Sequence, residues 1–130
     1  MMPGMASRDP KDLCPCIRSK YYKLAAKAEE SGVHVTLIET LRDEARQKYY
    51  IQTGVSQTMN SYHLPHKPNL QALAFDLAPT SYLPLKGWNP GGSLWNFLGQ
   101  HGKALGLEWG GDWKGFVDRD HFQLPVCECK

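Results

Sequence analysis

A long polar connection from Ser56 to Gln71 carries Ser61, Tyr62, His63 and His66, then delivers the chain to Asp76. That aspartate interrupts the apolar run Leu73-Ala74-Phe75-Asp76-Leu77-Ala78, where an acid is costly to bury unless a positive group meets it. Further on, Asp118-Arg119-Asp120-His121 sets an acid three residues before a histidine that opens an apolar stretch. Two histidines and one carboxylate on converging strands supply three ligands to a zinc ion and leave the fourth position to water. Such an open site is catalytic, whereas a structural site closes with four protein ligands. Each of these residues alone reads as an ordinary hydrogen-bonding or loop residue; the combination points to chemistry. His63 and His66 are both candidates for the first ligand.

The elements that must position these residues follow from periodicity. Ile17, Tyr21, Leu24, Ala25 and Ala28 recur at helical spacing over Pro15 to Glu30, with Gly32 as the stop. Val33 to Ile38 alternates and is β-branched, which reads as a strand. Asp43 to Thr53 reads as a helix ended by Gly54, and Ser56 to Gln71 is too proline-rich for regular structure. Leu73 to Leu77 forms a short strand. Pro79 to Gly92 is a second loop, and Ser93 caps a helix running to about Leu105. A Gly- and Trp-rich segment, Trp109 to Lys114, precedes a closing strand from His121 to Leu124. Helices and short strands alternate without βαβ regularity, so the expected fold class is α+β, a small antiparallel sheet flanked by helices. The 130 residues make a single domain, with the first twelve as a loose terminal extension.

Three separated motifs, in order, resemble a known family. Ser61-x-His63, Ala74-x-Asp76 and Asp118-x-x-His121 are similar to the S-x-H, A-x-D and (D/E)-x-x-H signature of small zinc peptidases that act on peptidoglycan. These are D-alanyl-D-alanine carboxypeptidases and the L-alanyl-D-glutamate endopeptidases of phage endolysins. Arg42, Gln47, Tyr50 and Gly54 resemble the family's helix start, and Gly106 to Trp113 with His121-Phe122-Gln123 resembles the endolysin and autolysin branch. The likeness runs from about Leu24 to Leu124. It departs from the family where extra residues separate His63 from Asp76, where Ala72 replaces a glycine, and where Asp43 follows Arg42 instead of serine.

The resemblance implies a hedgehog/D-Ala-D-Ala peptidase-like fold and zinc held by His63, Asp76 and His121. It implies Asp118 as general base and Arg42 as oxyanion stabiliser, with Ser61, Tyr62 and Trp109 contacting substrate. Trp113 is a further candidate for the groove, and Asp112 reads as a turn residue. The implied activity is cleavage of the peptidoglycan stem peptide at the L-alanyl-D-glutamate bond. The alternatives are a D-alanyl-D-alanine carboxypeptidase of the same fold and, from another class, a catalytically silent wall-binding module. Asp118 argues against the silent module, because a non-catalytic zinc site needs its ligands but not its base.

Charge and composition narrow the partners. Fifteen Lys and Arg face thirteen Asp and Glu with no block of like charge, which excludes a nucleic-acid footprint. No run is long enough to insert in a membrane, and Met1 to Asp12 does not read as a signal peptide. The expected protein is a monomer, held in the cytoplasm until it is released to the wall, or extracellular if a signal was removed. Cys14, Cys16, Cys127 and Cys129 form two C-x-C pairs near the chain ends. They read as a metal site, as a cross-link of the termini, or, slightly favoured, as reduced thiols.

Overall fold

A computed structural model of the chain describes residues 7–54, 61–66, 70–82, 93–115 and 117–124. Helix α1 spans Pro15–Glu30, with proline in its first turn and Ser31 as C-cap before Gly32, whose φ of +77° suits glycine. Its buried stripe is Ile17, Leu24 and Ala28, the spacing of one helix face. Strand β1 is Val35–Glu39, α2 is Glu44–Gln52, β2 is Ala74–Pro79, and α3 is Ser93–Ala104. The last strands are β3, Glu108–Trp109, and β4, His121–Gln123, with 3₁₀ turns at Pro10–Asp12, Thr80–Tyr82 and Gly110–Asp112. The α+β class holds, with one four-stranded sheet of order β1-β2-β4-β3 and every pairing antiparallel.

The central strand β2 is buried along its whole length, which explains its apolar sequence. Alternation sends Phe75 and Leu77 to one face and Asp76 to the other. On the first face Phe75 stacks on Phe122 of β4 with ring centroids 5.3 Å apart, and Tyr21 of α1 meets Phe75 edge-on at 5.4 Å. Helix α3 reaches this layer through glycines: a Cβ on Gly102 would lie 2.5 Å from the Phe122 ring, and one on Gly99 would lie 2.4 Å from Trp109. Core packing thereby fixes the strands that carry Asp76 and His121.

Three boundaries differ from the sequence expectation. Ser93 is the first residue of α3 rather than its cap, and Pro79 belongs to β2. The expected loose extension is tied down from Ser7 onward: Ser7 N donates to Leu41 O at 2.7 Å, and Thr40 N donates to Ser7 O at 2.6 Å. The cysteines also require a correction. Cys14 and Cys16 are both disulfide-bonded, so they are neither reduced thiols nor thiolate metal ligands. Cys127 and Cys129 lie outside the described residues, as do parts of the two long loops.

Candidate active site

The sheet lines up three side chains across three strands. Asp76 of β2 pairs with His121 of β4 on one side and with Glu39 of β1 on the other. The pairing with Glu39 depends on a break in the β1 register. Leu37 faces Leu77, and a regular ladder would then put Ile38 opposite Asp76, but the irregularity between Leu37 and Glu39 brings Glu39 there instead. His63 enters from the loop above. Its turn is closed by Ser61, whose Oγ accepts from His63 N at 3.1 Å, and by Arg42 N donating to His63 O at 2.9 Å.

The hydrogen-bond partners fix which ring nitrogens face the site. His63 Nδ1 lies 2.6 Å from Thr40 O; a carbonyl only accepts, so Nδ1 carries the proton. Gln123 donates its amide NH₂ to Glu108 Oε2 at 3.1 Å and so turns its Oε1 to His121 Nε2, which donates at 2.8 Å. The free lone pairs of His63 Nε2 and His121 Nδ1 therefore point at Asp76 Oδ1, at 3.1 and 3.3 Å. Three acceptors converging in a buried place repel unless a proton or a metal cation lies between them. Their ligand atoms fall within 4.8 Å of one another, a donor set that suits zinc.

Burial pushes the Asp76 carboxyl up, but the charge of His63 and the hydrogen bonds from both histidines outweigh it and hold the group well below its ordinary range. Burial likewise pulls His121 down, yet the hydrogen bond and charge of Asp76, with Asp118 behind it, raise it overall. Asp120 is buried beside Asp76 and Asp118, and its carboxyl is raised well above the usual carboxylate range by burial first and by those two charges second.

Asp118 stands at the mouth of the site. Its Oδ2 is 3.9 Å from His121 Nδ1, and its side chain is about one-third exposed, at 32%. Its loop is clamped to the 3₁₀ turn: Asp118 N donates to Gly110 O at 2.9 Å, and a Cβ on Gly110 would come within 2.2 Å of Asp118 O. Arg42 lies on the other flank, almost fully buried. Its Nε and Nη2 donate to Glu39 at 2.7 and 2.9 Å, Nη1 donates to Gln47 Oε1 at 2.7 Å, and Nη2 is 3.8 Å from Asp76 Oδ2. Asp43, which replaces the family's serine, serves as the N-cap of α2 by accepting from Arg46 N at 2.9 Å.

The structure thus brings together His63, Asp76, His121, Asp118 and Arg42. His66 stays apart: its Nδ1 lies against Leu64 O, and its ring packs edge-on against Tyr62. Tyr62 packs partly against the core. Trp109 corrects the expectation of substrate contact. It is 5% exposed, packed on α3, and its Nε1 donates to Arg119 O at 2.7 Å, so it braces the Asp118 loop from inside. Trp113, partly exposed with its ring 4.9 Å from that of His121, is the aromatic beside the site. Sequence reasoning passed over Glu39, Thr40 and Asp120. Glu39 carried a signal like that of Asp76, an acid on an apolar strand, though at the strand's end rather than within it; Thr40 acts through its carbonyl, which no side-chain pattern reveals.

Comparison with known proteins identifies the family. Residues 54–124 match the family model described as D-alanyl-D-alanine carboxypeptidase, and the chain belongs to that peptidase family. The chain is 39% identical, over 78% of its length, to the L-alanyl-D-glutamate peptidase of Listeria phage A118, of which it spans about a third (34%). It is 29% identical to the Bacillus subtilis peptidoglycan L-alanyl-D-glutamate endopeptidase CwlK, covering 88% of this chain and 75% of that protein. The crystal structure of the Serratia marcescens L-Ala D-Glu endopeptidase ChiX superposes with a TM-score of 0.64 at 26% identity, covering 88% of this chain and 82% of that one.

Proposed function

We propose that this chain is a zinc-dependent peptidase that hydrolyses the stem peptide of peptidoglycan at the L-alanyl-D-glutamate bond. The observation that carries the reading is the convergence of the His63 and His121 lone pairs on Asp76, with Asp118 beside them. His63 Nε2, Asp76 and His121 Nδ1 would hold the ion. Zinc in such a site polarises a carbonyl and makes water a nucleophile near neutral pH. The Asp118 carboxylate, partly open to solvent, takes the proton of the attacking water and returns it to the leaving amine as the C–N bond breaks. Arg42 keeps one N–H on each of Nη1 and Nη2 after its bonds to Glu39 and Gln47, and these would serve as donors to the negative charge that develops on the carbonyl oxygen. Ser61 closes the turn of His63, and Trp113 offers an aromatic face beside His121.

The choice of bond follows the similar proteins, which are named for L-alanyl-D-glutamate cleavage. The family description favours a second reading, removal of a terminal D-alanine. The protein works at the wall, outside the reducing cytosol, a reading that the disulfides of Cys14 and Cys16 support. Among the described residues no helix is long and apolar enough to cross a membrane. Digestion of purified peptidoglycan by zinc-loaded protein, read by mass spectrometry, tests the assignment. New L-alanine carboxyl and D-glutamate amino ends are expected. Free D-alanine would establish the second reading, and an undigested wall would refute both.

A further inference from the structure

Glu39 is a buried acid that none of the reaction steps uses, and both of its oxygens accept from Arg42. Its Oε2 accepts from Arg42 Nε at 2.7 Å and its Oε1 from Nη2 at 2.9 Å, while Tyr50 Oη donates to the same Oε1 at 3.3 Å. The Tyr50 ring also lies under the guanidinium, 4.6 Å from its carbon. The register break in β1 exists at the one place that puts Glu39, rather than Ile38, opposite Asp76. Arg42 consequently sits between two carboxylates. It donates twice to Glu39 but stands 3.8 Å from Asp76 Oδ2, too far for a hydrogen bond.

We infer that Glu39 is a positioning residue that holds the Arg42 guanidinium off Asp76, keeping that carboxylate free for the metal and the guanidinium aimed at the reacting carbonyl. Without Glu39, Asp76 is the nearest carboxylate to a buried guanidinium that has lost its counter-charge, and burial makes an unpaired charge seek the next partner. Arg42 would close the remaining gap to Asp76 and compete with zinc for it. The inference rests on the reading of His63, Asp76 and His121 as a metal centre.

Zinc affinity, measured by competition with a chromophoric chelator, separates this role from a general contribution to folding. Glu39→Gln is expected to weaken zinc binding by roughly 10–100-fold, the usual cost of losing a partner that orients a metal site. In the Arg42→Gln background the same change should cost nothing, because no guanidinium remains to compete. Equal zinc affinity in Glu39→Gln and the unaltered chain would overturn the inference, as would an undiminished loss in the Arg42→Gln background. If Glu39→Gln does not fold, Glu39→Asp decides: its shorter arm should weaken zinc binding in the unaltered background and leave it unchanged beside Arg42→Gln. An unaltered chain that takes up no zinc overturns the metal-centre reading along with this one. Tight zinc binding unaffected by Glu39→Gln overturns this inference alone.

Discussion

At the scale of single residues, two carboxylates near one another are proposed for opposite duties, and their surroundings differ accordingly. Asp76 is buried between two imidazoles that favour its charged form, which suits a ligand. Asp118 is partly exposed and reaches only one of those rings, at 3.9 Å, which suits a group that must gain and lose a proton. Asp118→Asn should therefore retain stoichiometric zinc and lose turnover by about 10²–10⁴-fold, measured as release of new amino ends from peptidoglycan. Turnover at the original rate would remove Asp118 from the proton-transfer role. The histidines divide in the same way. His63→Ala should abolish zinc binding while His66→Ala leaves it intact in a metal-content assay, since of these two His63 is the one with a nitrogen against Asp76. The reverse pattern would transfer the ligand role to His66. Most of this set was legible in advance because acids and histidines on apolar strands stand out from their background. The Trp109 role was not legible, because an indole N–H that braces a loop from within looks in sequence like an aromatic that lines a groove.

At the scale of elements, the site depends on how closely α3 approaches the sheet. Gly102 allows Phe122 to pack against the helix, and Phe122 is the chain neighbour of His121. Gly102→Ala gains up to about 1 kcal/mol in helix propensity, but it places a methyl group 2.5 Å from a ring that is itself stacked on Phe75. Overpacking of that kind costs about 1–3 kcal/mol, so the packing term prevails and the variant should unfold at lower urea concentration. An unchanged or raised midpoint would show that β4 gives way freely. The helices were the readable part of this architecture. Pro15, Gly32 and the apolar stripe of α1 mark its ends and face without help from the rest of the chain. The two-residue strand β3 and the register break in β1 were not readable, because both arise from pairing between distant segments rather than from local preference.

At the scale of the whole molecule, a chain of 130 residues builds a modest core and gains from covalent closure. Cys14 caps the start of α1, and its N donates to Ala72 O at 2.9 Å, next to the strand that bears Asp76. Reduction of the disulfides at Cys14 and Cys16 is expected to cost about 2–4 kcal/mol and to lower the thermal midpoint by roughly 10 °C in scanning calorimetry. A midpoint that ignores reductant would show that those bonds contribute nothing to the folded state. The bonds themselves were ambiguous in the sequence, since C-x-C spacing does not distinguish a thiol from a cross-link.

Thr40 joins these scales in a single residue. Its N and Oγ1 hold the backbone of Ser7, Oγ1 also reaches Asp9 O, and its carbonyl takes the Nδ1 proton of His63. The beginning of the described chain is thus one residue away from the tautomer of a proposed metal ligand. For anyone attaching an affinity handle, trimming the leading residues or joining this chain behind another module, the seam near Ser7 is wired to the proposed metal centre. If that proposal holds, spacer length there is expected to change metal retention before it changes yield.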